Sequence, residues 1–518
     1  MISAIPKTMT KTIGRRIRWG CLALIIATVL SSARGQTNSA PARPISLEEC
    51  IELALKENLD LQIERINPLL FAADIEIARA GYDPNFTFSG QRSFSVTGGG
   101  LDANARIIPS SQTDVDSFNS GVTGVGPFGL NYNLSGRVAE SAGTRNDQLG
   151  SIPFDSSSGS VGISLSQPLL RNFWTDATRY NIAVAKNRLK VSELGLQQQI
   201  MNVVDAVEEA YYELIFAREN VKVQEKALQL AERLFSENKK RVEIGTIARL
   251  DEKQSESQVA ASQADLAAAQ RSLATAQNTL KRLITASYRV LHDARLDPTE
   301  TLDAMPQPID LQESWGKGMS QRPDLLQARL DLERQGITVK YNKNQMLPEL
   351  DIIGGYGHGA SGGNVREFND AFNDFRTGQK PFWTVGGSFS IPLSNKAARN
   401  RYKQSKLTAD QLVLQLKKLE ESVLVQIDET VNQVRTSLDR VDSTRKARIY
   451  ADDALDAEQK KLASGKSTSF VVLQLQRDLT SARSQEIRAL ADYNQALSRL
   501  ALEEGTTLER KKIRVDVR

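Results

Sequence analysis

Few residues in this chain could do chemistry. Its 518 residues include two histidines, His292 and His358, and two cysteines, Cys21 and Cys50. Those counts exclude a Cys/His zinc site, a disulfide framework and a c-type haem site. The histidines lie far apart, each in a loop-like stretch, and no nucleophile elbow, Walker loop or metal-ligand cluster is present. Gly98-Gly99-Gly100 and Gly354-Gly355-Tyr356-Gly357 are glycine-rich. They stand in strand or loop context with no helix following, which a phosphate cradle needs. The net charge of +4 is too near neutral for a nucleic-acid footprint. The residues therefore predict a protein without catalysis, cofactor, metal or nucleic acid, whose work lies in the arrangement of its elements.

The first 35 residues read as an export signal. Lys7, Lys11, Arg15, Arg16 and Arg18 form a basic start, Cys21 to Leu30 an apolar core, and Ser31, Ser32 and Ala33 a small-residue end. Removing the five basic residues takes the charge from +4 to −1, and losing Arg34 as well makes it −2. Only Cys50 would remain, so no internal disulfide could form, and the mature protein would work outside the cytoplasm. Mean hydropathy is −0.36, and no apolar run reaches the ~18 residues of a spanning helix.

The chain repeats itself. Asn58-Leu59-Asp60-Leu61 matches Arg322-Pro323-Asp324-Leu325, and Pro84 matches Pro348, both at an offset of 264. The run Val161 to Leu169 matches Val385 to Leu393 at an offset of 224, and Gly245 matches Gly465 at 220. The first half thus carries 40 extra residues between its two prolines. Each half reads helix, proline, strands, proline, very long helix, glycine turn, helix. From about Asn172 to Ile244 there is no proline. Val203, Val207, Ala210, Leu214, Ala217, Val221, Gln224, Leu228, Ala231 and Phe235 step by alternating four and three, a heptad seam. At 1.5 Å per residue this helix reaches roughly 110 Å, beyond any compact domain. Leu424, Ile427, Val431, Val434, Leu438 and Val441 do the same toward Gly465. The expected organisation is a signal at 1–35, a first repeat at 45–285, a connecting equatorial segment at 286–320, a second repeat at 321–503 and a tail at 504–518. Within the repeats, strands fall at about 85–168 and 349–392, and long helical hairpins at 172–285 and 395–503.

The strands indicate the environment. Phe86, Phe88, Phe94 and Val96 alternate with Thr87, Ser89, Gln91, Ser93, Ser95 and Thr97. Runs from Phe128, Val161 and Trp383 repeat the pattern, bulky apolar on one face and small polar on the other. A half-buried soluble sandwich would alternate too. The strand lengths, the Ser/Thr/Asn/Gly face and the long polar connections at 98–119, 139–159 and 357–380 favour a membrane barrel with a wet lumen.

On these residues the chain resembles the TolC-like outer-membrane efflux proteins, from about Ile45 to Leu502. The resemblance is carried by the helix-to-strand junctions at Pro84 and Pro348, by the strand exits Ser166-Gln167-Pro168-Leu169-Leu170 and Ser390-Ile391-Pro392-Leu393, and by the turn Arg241-Val242-Glu243-Ile244-Gly245 followed by Asp251. Lys461-Leu462-Ala463-Ser464-Gly465 is a weaker second copy of that turn. The resemblance implies an α+β membrane fold: a homotrimer sharing one barrel in outer-membrane lipid, continued by a coiled-coil tunnel in the periplasm. It implies an exit duct for efflux or type I secretion, served by a periplasmic adaptor (membrane fusion) protein and an inner-membrane RND or ABC transporter. The adaptor would dock at the tip around Arg241, Ile244, Gly245, Thr246, Gly465 and Lys466. Asp251 matches an acidic aperture position, while Val471 and Gln474 stand where the family is often acidic, so the aperture would be less acidic here. Asp251 is equally what the start of any helix favours. A soluble coiled-coil interaction protein and a periplasmic adaptor remain the alternatives. The two hairpin copies and alternating strands are not what an adaptor carries.

Physics agrees that chains must share a barrel, since one copy's strands cannot close one and open edges are not tolerated in lipid. The extra 40 residues predict an added hairpin, Phe118 to Val125 and Phe128 to Val138 about Gly126-Pro127. If it spans the membrane, that turn lies at the periplasmic rim and the trimer has eighteen strands. If it projects outward, the barrel keeps twelve. Only Phe118 and Val122 give the first strand an apolar face, which favours projection.

Overall fold

In the computed structural model, residues 42–513 are described, except 102–106, 148–149, 364–367 and 379. The export signal and the last residues of the tail lie outside the described residues. The chain runs β1 (Ala42–Ile45), α1 (Leu47–Glu57), α2 (Leu59–Glu64), α3 (Ile66–Arg79), then β2 (Asn85–Thr97), the short pair β3 (Gly100–Leu101) and β4 (Ile107–Ile108), β5 (Ser111–Val125), β6 (Asn131–Asp147) and β7 (Gly150–Pro168). The first long hairpin follows as α4 (Ala177–Glu243) and α5 (Arg249–Ile284). After α6 (Tyr288–Leu291) and β8 (Arg295–Pro298) the second repeat begins with α7 (Leu311–Gln321) and α8 (Pro323–Asn344). It continues through β9 (Glu349–Gly363), α9 (Phe368–Thr377), β10 (Pro381–Ser390), α10 (Lys396–Ala463), α11 (Ser469–Glu504) and α12 (Thr507–Arg510).

The helices form because nothing interrupts them: no proline falls between Pro168 and Pro298, and α4 runs 67 residues, about 100 Å. Asp176 caps its start, accepting from the Arg179 amide at 2.9 Å. Val203, Val207, Ala210, Leu214, Ala217, Val221 and Ala231 are all buried along its seam. Near the end the seam departs from the expected register. Leu234 and Asn238 are buried in place of Phe235. In α10 the buried residue is Val423, not its neighbour Leu424. A straight helix drifts about 20° per heptad, so a seam this long must slip by one residue somewhere.

The two repeats are tied internally at matching points. Asn58 and Arg322 each hold an extended conformation between two helices. Asn58 Nδ2 donates to the Leu283 carbonyl at the end of α5, 3.0 Å. Arg322 reaches the Glu503 carboxylate at the end of α11, 2.7 Å. The leucines three residues on, Leu61 and Leu325, are both fully buried. Each repeat thus ties its entry helices to the return end of its own hairpin. β1 and β8 pair in parallel beside this layer, where the Tyr211 hydroxyl donates to the Ile45 carbonyl at 3.1 Å.

One six-stranded antiparallel sheet, ordered β10-β9-β7-β6-β5-β2, carries all the long strands. The strands run well past the stretches read from alternation. Ser111–Asn119, Ala139–Asp147 and Gly150–Gly159, expected within loops, are strand, and His358, expected in a loop, lies in β9. Conversely Phe128 is not in a strand. It sits in a 3-10 turn, Pro127–Gly129, with φ of 67°.

The added hairpin is a full member of this sheet. β5 pairs with β2 and β6, β6 with β7, and the turn at Gly126 lies at the end where Asn85, Pro168, Glu349 and Ser390 also lie. The expectation that it projects outward is therefore overturned. Its thin apolar face misled because bulk is shared across strands. Phe118 stacks on Phe88 at 6.4 Å, and it covers Gly90, whose missing Cβ would stand 3.0 Å from the Phe118 ring. Yet β7, at 19 residues, is longer than a bilayer needs. At ~3.3 Å per residue, a strand of this length tilted ~45° in a membrane barrel would rise roughly 44 Å, more than the about 25 Å of such a barrel's apolar band.

Candidate duct wall and periplasmic tip

The sheet's two faces are written in its register. Phe86, Val122, Leu134, Ile163, Tyr356 and Trp383 form one row across all six strands. Five of these six are large hydrophobics that stand exposed in the single chain, Phe86 at 68% and Trp383 at 74%. On the opposite face Asn85, Thr123, Asn133, Ser164, Gly355 and Thr384 form another row, small and polar throughout. Bulky groups bared to one side of a sheet whose other side is polar are the pattern of a wall between lipid and water. No described helix is long and apolar enough to cross a membrane.

The four junction prolines gather at one end of this wall. Pro84 and Pro348 stand just before β2 and β9, Pro168 ends β7 and Pro392 follows β10. Proline lacks the donor a ladder needs, so each suits a place where pairing stops. The turn of the added hairpin is clasped here. Gln167 Nε2 donates to the Phe128 carbonyl at 2.9 Å, and the Arg179 guanidinium lies 4.4 Å from the Phe128 ring centre, which meets Trp174 edge-on at 4.8 Å. Sequence reasoning missed this clasp, since the partners are about 45 residues apart and share no motif.

At the far end of the long helices the two glycine turns are near copies. Gly245 and Gly465 have φ of 76° and 74°. The Gly245 amide donates to the Val242 carbonyl and the Thr246 amide to the Arg241 carbonyl, both at 2.9 Å. The Gly465 amide donates to Leu462 and the Lys466 amide to Lys461, at 3.1 and 2.9 Å. This is the Schellman stop, in which a left-handed glycine satisfies the last helix carbonyls. The second turn carries an added lock: Ser467 Oγ donates to Glu458 at 2.5 Å and Lys461 Nζ pairs with it at 2.9 Å. The Ser467 hydroxyl first, and then the lysine, hold the Glu458 carboxyl below the usual range.

The structure brings the two tips together. Arg241 and Glu237 of α4 share a groove with Gln459, Leu462 and Ala463 of α10 and Gln476 of α11. Leu234, Leu455, Val472, Leu473 and Leu479 form one apolar cluster beneath it. Ser469 Oγ donates to Asn238 Oδ1 at 3.0 Å, and both are buried. This pin, too, was not read from sequence, although a polar residue at a buried step of the α4 seam is a signal for it. Among the aperture candidates, Asp251 lies in the first turn of α5, where no side chain caps the helix. A carboxylate there complements the helix dipole. Val471 and Gln474 are exposed on α11, beside the buried Val472 and Leu473.

The profile of the family described as "Outer membrane efflux protein" matches residues 128–286 and 317–505. The chain belongs to that family. It is 26% identical over 376 residues to the outer membrane protein TolC of Vibrio cholerae, covering 70% of this chain and 80% of that one. It is 24% identical to the alkaline protease secretion protein AprF of Pseudomonas aeruginosa, covering 66% and 69%. The solved CmeC outer membrane channel of Campylobacter jejuni superposes with a TM-score of 0.65 at 16% identity, over 91% of this chain and 90% of that one. The fold is thus the α+β fold of the outer-membrane channels, built from tandem repeats. The protein is an outer-membrane exit duct of an efflux or type I secretion system, with a helical extension in the periplasm, in a family of channels.

Proposed function

We propose that three copies close head to tail into one duct, with the glycine tips as the docking end for a periplasmic adaptor and its inner-membrane RND or ABC transporter. One observation carries the closure: strands and helices run out at the same two edges. In the sheet β2 pairs only with β5, and β10 only with β9, among the described strands. In the helix layer beneath, α3 packs on α4, α4 on α8 and α8 on α10. So β2 and α3 form one open edge, β10 and α10 the other. An unpaired edge cannot face lipid, and joining unlike edges generates a ring. Leu59, Ile63, Ile66, Leu70 and Ile77 step by fours, threes and seven along α2 and α3, exposed at 52% to 70%. Leu407, Leu414 and Val425 stand exposed on α10. A neighbouring copy would cover both.

The girths of the two layers support the same reading. Four helices at about 10 Å each span ~40 Å of circumference per copy. Six strands at ~4.8 Å, tilted about 45°, span nearly the same. Eighteen strands would therefore sit on a twelve-helix tunnel without a step. Solute would enter between the tips, past Asp251, Val471 and Gln474, and leave through the polar-lined barrel, with no bond made or broken. The repeat boundaries follow from this reading: 45–285 and 321–503 each give a wall segment and a hairpin, 286–320 lies between them at the equator, and 504–518 is the tail. Membrane fractionation with native mass measurement in detergent tests the assembly. Three copies in the outer-membrane fraction are expected, and a soluble monomer would overturn it.

A further inference from the structure

The charges of the sheet sort by face. On the lipid-side register the row beyond the apolar belt holds Arg92, Asp116 and Glu140, cross-strand neighbours, with Asp114 one row further out. Arg92 lies 3.7 Å from Asp114 and 3.8 Å from Asp116. On the lumen-side register the only acids among the described side chains are Glu349 and Asp351, at the junction rim, and Glu349 is paired with Arg171 at 2.9 Å. Above the rim that face carries two charges among the described side chains, both positive: Arg137 and Arg145 of β6. Arg137 stands between Asn119 of β5 and Ser160 of β7, and Arg145 is opposite Ile152. Both arginines are exposed, and neither makes an ion pair within the described residues.

We propose that Arg137 and Arg145 make the outer half of the lumen an attracting vestibule for anionic solutes. This rests on the reading that the sheet closes into a duct with its polar face inward. Three copies would then place six guanidiniums on a wall that is otherwise uncharged among the described side chains above Asp351, mostly Ser, Thr, Asn and Gly with a few apolar residues such as Val115, Ile152 and Phe382. The arginines are eight residues apart, about 27 Å along the strand. Their fields overlap when the Debye length is ~30 Å at 0.01 M salt and separate when it is ~8 Å at 0.15 M. A low-dielectric wall around a narrow water column focuses such a field, while the acids on the outer face stand in open solvent. The preference lies at the exit, independent of whatever the tip selects.

Ser141 lies between the two arginines on the same face, opposite Val115 and Ser156. A Ser141→Cys reporter reads the local potential directly, because the native Cys50 is buried and its thiol is pushed up to about 12, chiefly by burial. The trimer in membranes is treated from outside with an anionic (sulfonate) or a cationic (trimethylammonium) methanethiosulfonate, and each rate is normalised to a free thiol. With the native arginines the anionic reagent should lead by about tenfold in 10 mM salt and lose that lead in 0.5 M salt. In R137Q/R145Q the ratio should fall to near one, and R137K/R145K should restore it. An unchanged ratio in R137Q/R145Q, in protein that still assembles, would overturn the proposal. A reporter unreactive to both reagents would overturn the inward placement of this face, and with it the duct reading beneath.

Discussion

At the residue scale, the glycines of the two tips are required for conformation rather than space. A Cβ on Gly245 or Gly465 would meet nothing within 4 Å, but each holds a left-handed φ. Gly245→Val therefore costs about 1–3 kcal/mol of local strain, with no clash to spread it. We expect the Gly245→Val protein to reach the membrane assembled and to fail in export. Normal export with normal adaptor crosslinking would remove the tip from the docking role. Cys50 makes a second residue-scale test. It is fully buried, and its thiol stays protonated until about pH 12. Iodoacetamide at pH 8 should leave Cys50 unmodified in the folded protein and label it on unfolding. Labelling of native protein would contradict the packing of α1.

At the element scale, the long helices are held to one another by a few polar pins. Asn238 and Ser469 join α4 to α11 near the tip, and Asn220 with Ser484 repeats the arrangement further up, at 2.8 Å. Ser469→Ala leaves the buried Asn238 Oδ1 without its donor, a cost of about 1–3 kcal/mol. Backbone hydrogen exchange should quicken in the last turns of α4 and the first of α11 and stay unchanged in the sheet. Equal protection throughout would show the pin to be idle. The duplicated helix links add to this hold. Arg322 binds Asp324 and Glu503, each at 2.7 Å, with little exposure. Arg322→Ala removes the only ion pair of Asp324 among the described residues and leaves Glu503 with the more exposed Arg499, 3.1 Å away, so it should cost about 1–3 kcal/mol, seen as a lowered unfolding midpoint. Asn58→Ala, which loses only a helix cap and one carbonyl contact, should cost about 1–2 kcal/mol.

Much at this scale was legible in the sequence. The heptads of Val203 to Val221 and the alternation from Phe86 to Val96 declare helix and wet-dry strand, because period follows from geometry alone. The duplicated prolines and glycines located the junctions and turns. The added hairpin was legible as a hairpin but not as a wall. Phe118 looks isolated along β5, and only the register sets it over Gly90 and beside Val138. Strand ends were missed for a related reason. Serine-rich stretches such as Ser156-Ser157-Ser158 read as loop, yet in β7 they are held by neighbours on both sides. The clasp of Arg179 on Phe128 joins residues far apart in sequence, which no local pattern can announce.

At the scale of the whole molecule, the central claim is that six strands per chain, added hairpin included, build one shared barrel on a helical tunnel. Ordering of the sheet and the helix layer on the same two open edges supports it, as does the match of their girths. Export through a sealed lumen depends on that closure. Electron cryo-microscopy of the detergent-extracted protein tests it most directly. The expected particle is threefold, its barrel of eighteen strands, with β2 of one copy paired to β10 of the next and Gly126 at the periplasmic rim. A twelve-stranded barrel with residues 111–147 outside the wall, or a particle of a single chain, would contradict it.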